Sequence, residues 1–231
     1  MSLQSIRRWG GVGALLLLFG FSAFFAARWG LADITSREVA KQVSSWATNA
    51  QARRDSPDIG AWDAARSELI SASKLQPWNP DFIERLGIMA FQRSPSSATT
   101  ALPHASGLDY LRQASVLRPA SPFTWAAIAV TKVQIGEADA EFKAALLNAA
   151  SLGPWEKDVQ FVVVNLGLAF WDDLPTETQT AVKGQFVNAA LRNPAEMAFL
   201  AQIRGRLALV CGWPGGVANS RPCQTERGDG K

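Results

Sequence analysis

The sequence predicts an all-α protein, an N-terminal transmembrane helix followed by an α-solenoid of antiparallel helix pairs. Three observations carry this. An uncharged run of 19 residues, Trp9 to Ala27, lies near the start of the chain. Beyond it there is no sustained alternation of apolar and polar residues; the one short β-branched run, Val162-Val163-Val164, sits inside a longer helical pattern. A motif of Ala, Leu and Pro recurs with Pro-to-Pro separations of 42 and 35 residues, as in stacked helical repeats.

The apolar run comes first. At about 1.5 Å per helical residue it extends roughly 28 Å, close to the hydrocarbon thickness of a bilayer. Trp9 and Trp29 bracket it as interfacial anchors, and Arg8 and Arg28 can reach the head groups. Residues 1–8 are read as a cytoplasmic stub and 9–28 as the span. A cleaved signal peptide competes, because Gly30-Leu31-Ala32 fits a small-x-small cleavage site. Against cleavage, the run exceeds the usual apolar length of a signal peptide, and Arg28 and Trp29 intrude before the site. Arg7 and Arg8 favour a cytoplasmic N-terminus, while Arg28, Arg37 and Lys41 nearly balance them on the other side.

Residues 29–58 read as a juxtamembrane amphipathic helix and linker. Val39, Val43, Trp46 and Ala50 recur at helical spacing, and Asp55-Ser56-Pro57-Asp58 stops the pattern and can cap the next helix.

Residues 59–210 form the predicted repeat domain. Ala72-Ser73-Lys74-Leu75-Gln76-Pro77, Ala114-Ser115-Val116-Leu117-Arg118-Pro119 and Ala149-Ala150-Ser151-Leu152-Gly153-Pro154 align. Ala189-Ala190-Leu191-Arg192-Asn193-Pro194 is a looser fourth copy. A small Ala admits a neighbouring helix, Leu three residues on shares that face, and Pro ends the helix. The longer interval contains Ser94 to Gly107, rich in Ser, Thr, Ala and Pro, which reads as an inserted loop. Helices are expected over 60–76, 80–93, 105–118, 122–135, 138–152, 157–172, 176–192 and 195–210. Stacked hairpins of this kind share one continuous core. The pattern resembles the tetratricopeptide repeat (TPR). Trp125, Ile128 and Ala129 match its first-helix Trp, Leu and small positions, Pro154 closes the unit, and Leu86-Gly87 matches its Leu-Gly pair. The fingerprint is degenerate, with Ile83 where Trp is expected.

Residues 211–231 read as a Gly/Pro-rich, mostly disordered tail. It holds both cysteines, Cys211 and Cys223, a candidate disulfide of the kind that persists outside the cytoplasm; two free thiols are the competing reading.

The net charge of +3 is informative by its location. Arg7, Arg8 and Arg28 are the only ionisable side chains before Asp33, so the remainder carries 20 basic and 20 acidic groups. A neutral body does not offer the dense basic patch that nucleic acid requires. No catalytic constellation emerges, and no metal or cofactor is expected. The single histidine, His104, lies in the insert, and Asp172-Asp173 reads as a capped turn. Tryptophan is the unusual enrichment, with nine in the chain. Trp46, Trp62, Trp125 and Trp171 fall at helical core positions. Trp78, Trp155 and Trp213 each adjoin a Pro in a turn or tail. They are the candidate contacts for a partner protein or a glycan.

Two stretches carry a further resemblance. They are Arg118-Pro119-Ala120-Ser121-Pro122-Phe123-Thr124-Trp125-Ala126 and Leu152-Gly153-Pro154-Trp155-Glu156-Lys157-Asp158-Val159-Gln160. Through them the chain resembles the small membrane-anchored, repeat-like proteins of exopolysaccharide gene clusters, the VpsP-type polysaccharide biosynthesis proteins. Similar stretches occur in the helical-repeat tails of some O-antigen ligase and polymerase-type membrane proteins. The resemblance covers roughly residues 5–210 and is best over 117–171. It implies an accessory role in assembling or exporting a surface polysaccharide, while Arg7, Arg8 and the candidate Cys211–Cys223 bond favour a single-pass bacterial inner-membrane protein with its body in the periplasm. It supplies no catalytic residues. The expected partners are the membrane and its polysaccharide-assembly or export proteins, with the polysaccharide itself as the alternative ligand.

Overall fold

In the computed structural model the described residues are 3–53, 58–90, 104–214, 217 and 222–224, excepting the side chains of 3–14, 35, 36, 40, 44–53 and 104–106. They are helical, with no strand among the described residues. The chain divides into two compact units, Met1–Ala101 and Leu102–Lys231. The division falls inside the expected repeat domain: the first hairpin groups with the N-terminal helix and the other repeats group together.

The first unit contains α1 (Leu3–Arg53), α2 (Ile59–Leu75) and α3 (Pro80–Met89). α1 runs unbroken for 51 residues, so the juxtamembrane helix follows the apolar run without a break. No proline lies between Trp9 and Gln51, and the tertiary contacts reward continuity: α2 and α3 both pack on α1. Val39 and Val43 are buried there, as their spacing predicts, and so is Ala32. The side chains of Trp46 and Ala50 lie outside the described residues. Asp58 caps α2 by accepting the Ala61 N–H at 3.1 Å, while Asp55, Ser56 and Pro57 also lie outside the described residues. Trp62, Ala65, Leu69 and Ala72 form the buried stripe of α2. The Trp62 indole N–H donates to the Met89 carbonyl at 3.1 Å and ties the start of α2 to the end of α3. The Ser94–Gly107 insert lies largely outside the described residues.

The second unit contains α4 (His104–Leu117), α5 (Pro122–Gln134), α6 (Ala140–Leu152), α7 (Lys157–Ala169), α8 (Thr176–Arg192), α9 (Pro194–Ile203) and α10 (Leu207–Cys211). From α4 through α9 each helix packs on the next, and α5 also meets α7, α6 meets α8, and α7 meets α9. The Ala-Leu-Pro motif builds the same junction each time, in both units. The N–H groups of Gln76, Arg118, Gly153 and Asn193 each donate to the carbonyl of the motif Ala four residues earlier, at 2.9 to 3.0 Å. Ala72, Ala114 and Ala149 are each at most 1% exposed, as a close helix contact requires. In the first three copies a second bond closes the turn, for instance from the Ser121 N–H to the Arg118 carbonyl. In the fourth, Pro194 already starts the next helix and Asn193 serves as both C-cap and N-cap.

Two helix predictions are corrected. The expected 157–172 helix ends at Ala169 and is followed by a short 3-10 turn, Trp171–Asp173. The expected 195–210 helix breaks at Gly205, whose φ of +65° suits glycine. There the Arg206 N–H returns to the Ala201 carbonyl and the Gly205 N–H to that of Gln202, a Schellman stop.

Of the tail, residues 211–214, 217 and 222–224 are described. Val210, Trp213, Val217 and Cys223 are buried in a core with Val164, Leu168 and Phe186. Cys211 and Cys223 are joined as a disulfide. Apolar residues spaced widely among Gly and Pro carry no periodicity, so only the folded contacts reveal Trp213, Val217 and Cys223 as core.

Candidate functional site

The repeated junctions determine which surfaces are available. In the second unit, the end of α4 and the start of α5 are joined by one such turn. Gly153, at the end of α6, abuts the start of α5 so closely that a Cβ on it would lie 2.7 Å from Pro122 Cβ. The Gln185 side-chain amide on α8 donates to the Ala150 and Gly153 carbonyls at 2.6 and 3.3 Å. Arg192, at the end of α8, donates to Gln160 at the start of α7. The C-terminal ends of α4, α6 and α8 and the N-terminal ends of α5 and α7 therefore gather on one turn face of this unit.

That end carries exposed apolar side chains among charged ones. Val116, Phe123, Leu152, Trp155 and Leu191 are all exposed on it. Trp155 is the largest, 66% exposed on the turn that Glu156 N–H closes onto the Gly153 carbonyl. Beside it, between α7, α8 and the start of α9, is a groove of about 310 Å³ lined by Lys157, Gln160, Phe161, Arg192, Asn193 and Glu196. Gln160 is buried at its base, where its amide donates to the Pro154 carbonyl at 2.6 Å and its oxygen accepts from Arg192. The groove thus has an aromatic wall, two cations and one carboxylate. Such a surface suits an amphipathic segment more than a reacting group.

The three tryptophan candidates part company. Trp155 sits on the turn face. Trp78 belongs to the first unit and is 81% exposed on the α2–α3 turn. Trp213 is corrected: only 8% exposed, it lies between Trp171 and Phe186, with ring centroids 5.1 and 5.2 Å away, and below the Lys183 ammonium. It is a core residue, in the same buried cluster as Cys223.

A charged cluster not foreseen from the sequence joins α4, α5 and α6. The Lys132 side chain is 2% exposed, bonded to Glu137 and, at 2.7 Å, to Asp139, with Glu141 at 3.4 Å. Arg112 grips Glu141 through two bonds of 2.8 and 2.6 Å and also reaches Asp109. Arg112 holds the Glu141 carboxyl below its ordinary range against the opposing effect of burial. Lys132 and the Phe142 N–H lower that of Asp139. Burial pushes Lys132 down, but its bonds to Asp139 and Glu137 outweigh this and raise it. These shifts favour the charged forms of Lys132, Asp139 and Glu141, so the cluster is a structural clasp. The clue was the crowding of Glu137, Asp139 and Glu141 just after a helix ending near Lys132.

Among the described residues no three His, Cys, Asp or Glu side chains gather as metal ligands. Asp172, of the adjacent acidic pair, is engaged by Arg206 at 2.6 Å. The His104 side chain lies outside the described residues. Compared with known proteins, the chain matches no family model, no curated protein and no solved structure.

Proposed function

We propose that this chain is a non-catalytic, single-pass adaptor of the bacterial inner membrane. In this reading α1 crosses the bilayer with its N-terminus in the cytoplasm. The repeats form a TPR-like α-solenoid in the periplasm that holds proteins of polysaccharide assembly or export. The observation that carries the adaptor reading is the exposed apolar turn face around Trp155, Leu152 and Leu191. Exposed apolar side chains near a groove with two cations and one carboxylate fit the apolar side of a partner helix bearing an acidic residue.

Three further features support parts of the reading. α1 carries the one stretch, among the described residues, long and apolar enough to cross a membrane. The disulfide suits an oxidising compartment. The two stretches that resemble the VpsP-type proteins, 118–126 and 152–160, meet at the turn face through Pro122 and Gly153. Membrane tethering raises the effective concentration of membrane partners without any new contact.

The test is affinity purification from native membranes in mild detergent, comparing the wild type with Trp155→Ala/Leu191→Asp. Recovery of a polysaccharide-assembly component by the wild type and its loss in the variant is expected. Recovery of none by the wild type overturns the reading. The alternative, a glycan-binding module, is favoured by the exposed Trp155 indole. Its readout is a change in tryptophan emission on titration with the organism's own polysaccharide, abolished by Trp155→Ala.

A further inference from the structure

The exposed indole of Trp78 has neighbours that suggest a different ligand from that of Trp155. α2 returns along α1, and the turn that follows it is fastened to α1 at two points. The Arg28 guanidinium donates to the Leu75 carbonyl at 2.9 Å. The Gln76 amide donates to the Trp29 carbonyl at 3.1 Å. The Gln76 oxygen is itself fixed by the Asn79 amide at 2.8 Å, and Asn79 caps α3 through the Asp81 N–H at 3.0 Å. The turn therefore cannot slide along α1 without breaking a connected set of bonds. Trp78 is held at the level of Arg28 and Trp29.

That level is where the surface of α1 changes. Leu15 through Phe19, Phe21 and Phe24 are broadly exposed, whereas Ala32, Val39 and Val43 are covered by the hairpin. On the uncovered side, Leu31 and Ile34 extend the apolar surface about one turn further, before the exposed Asp33–Arg37 and Glu38–Lys41 ion pairs. The apolar band thus ends between Arg28 and Arg37. Trp78 stands beside Phe25, Arg28 and Trp29 around an open cleft of about 410 Å³. Indole rings and arginines at the end of an apolar helix are the groups that occupy the headgroup region of a bilayer.

We infer that the α2–α3 turn rests in the lipid headgroup–acyl boundary, with Trp78 and Trp29 as a paired aromatic anchor. The proposal depends on α1 spanning the membrane and adds a second, non-spanning contact that fixes the hairpin against the bilayer. The occupant of the cleft is phospholipid. A wedged hairpin also limits tilting of α1, because any tilt towards α2 drives Gln76 and Asn79 into the acyl region.

The native cysteines are bonded to each other, so one introduced thiol can carry an environment-sensitive fluorophore in the full chain. The sites are Trp78→Cys; Lys74→Cys, which keeps Trp78; Phe19→Cys in the apolar run; and Asp63→Cys, about 18 Å back along α2 from Leu75. Each protein is placed in phosphatidylcholine vesicles containing a lipid quencher at either a shallow or a deep acyl position. The shallow quencher is expected to dominate at 78 and 74, the deep one at 19, and neither to act at 63. Deep quenching at 19 with 78 and 74 as unquenched as 63 overturns the inference and leaves the span intact. An unquenched Phe19→Cys overturns the span and the inference together.

Discussion

Lys132 shows how a single residue can matter without being chemically active. Its ammonium is almost fully covered, yet its three carboxylate partners are one-third to one-half exposed. Replacing it by an apolar side chain leaves those carboxylates facing one another. Lys132→Met is expected to lower stability by about 2 kcal/mol. This falls short of the 3–5 kcal/mol typical of a fully buried pair, because water screens the partners. Urea denaturation at neutral pH measures it. The pH dependence follows from the same cluster. Asp139 and Glu141 have folded pKa values below their ordinary 3.8 and 4.5. Their contribution is therefore complete above those ordinary values and is lost as pH falls towards the lowered ones. Lys132 is raised above its ordinary 10.5, so its contribution is complete below that value and lost only in stronger alkali. The urea midpoint is expected to drop on acidification from about pH 6 to about pH 3, and to drop less in Lys132→Met, where protonation relieves repulsion.

At the scale of elements, the Ala-Leu-Pro junction does most of the organising. It was legible because each residue acts through one local property. Ala permits close approach, Pro forbids continuation, and the cap follows from both. The helix limits it predicted lie within a few residues of those found for α2 and α4 to α8. What the junction did not reveal is how closely particular helices meet. Gly167 on α7 faces Val182 on α8 so tightly that a Cβ there would lie 2.5 Å from both Val182 methyls. Gly167→Ala improves helix propensity by about 1 kcal/mol but overpacks this contact by roughly 1–3 kcal/mol. A net loss is expected in thermal denaturation, and Val182→Ala in the same chain should restore most of it. If the single variant is more stable than the wild type, the α7–α8 contact is looser than described.

For the whole molecule, the disulfide joins stability to location. Closing a loop between residues 211 and 223 stabilises a fold by about 3 kcal/mol in the chain-entropy account. Cys223→Ser is expected to cost about 2–3 kcal/mol and to shift Trp213 emission to the red, because that indole shares a buried cluster with Cys223. Location can be read from the same pair. In intact spheroplasts, a membrane-impermeant maleimide should label the cysteines after mild reduction if the body lies outside the inner membrane. Labelling only after permeabilisation would reverse the proposed orientation.

The sequence by itself determined the helical class, the apolar stretch of α1 and the places where helices must stop. These depend on local properties such as the length of an uncharged run, 3.6-residue periodicity, and proline. It also brought Cys211 and Cys223 within bonding reach, because few residues separate them. Tertiary structure alone decided that Trp213 is core while Trp155 is surface, since both adjoin Pro and differ only in what folds over them. It decided that Lys132 is buried, because the residues covering it come from other helices. It also decided the level of Trp78, which is set by hydrogen bonds from Gln76 and Arg28 across 47 residues of chain. Local spacing can foresee a turn, but only the packing of α2 on α1 sets where along α1 that turn comes to rest.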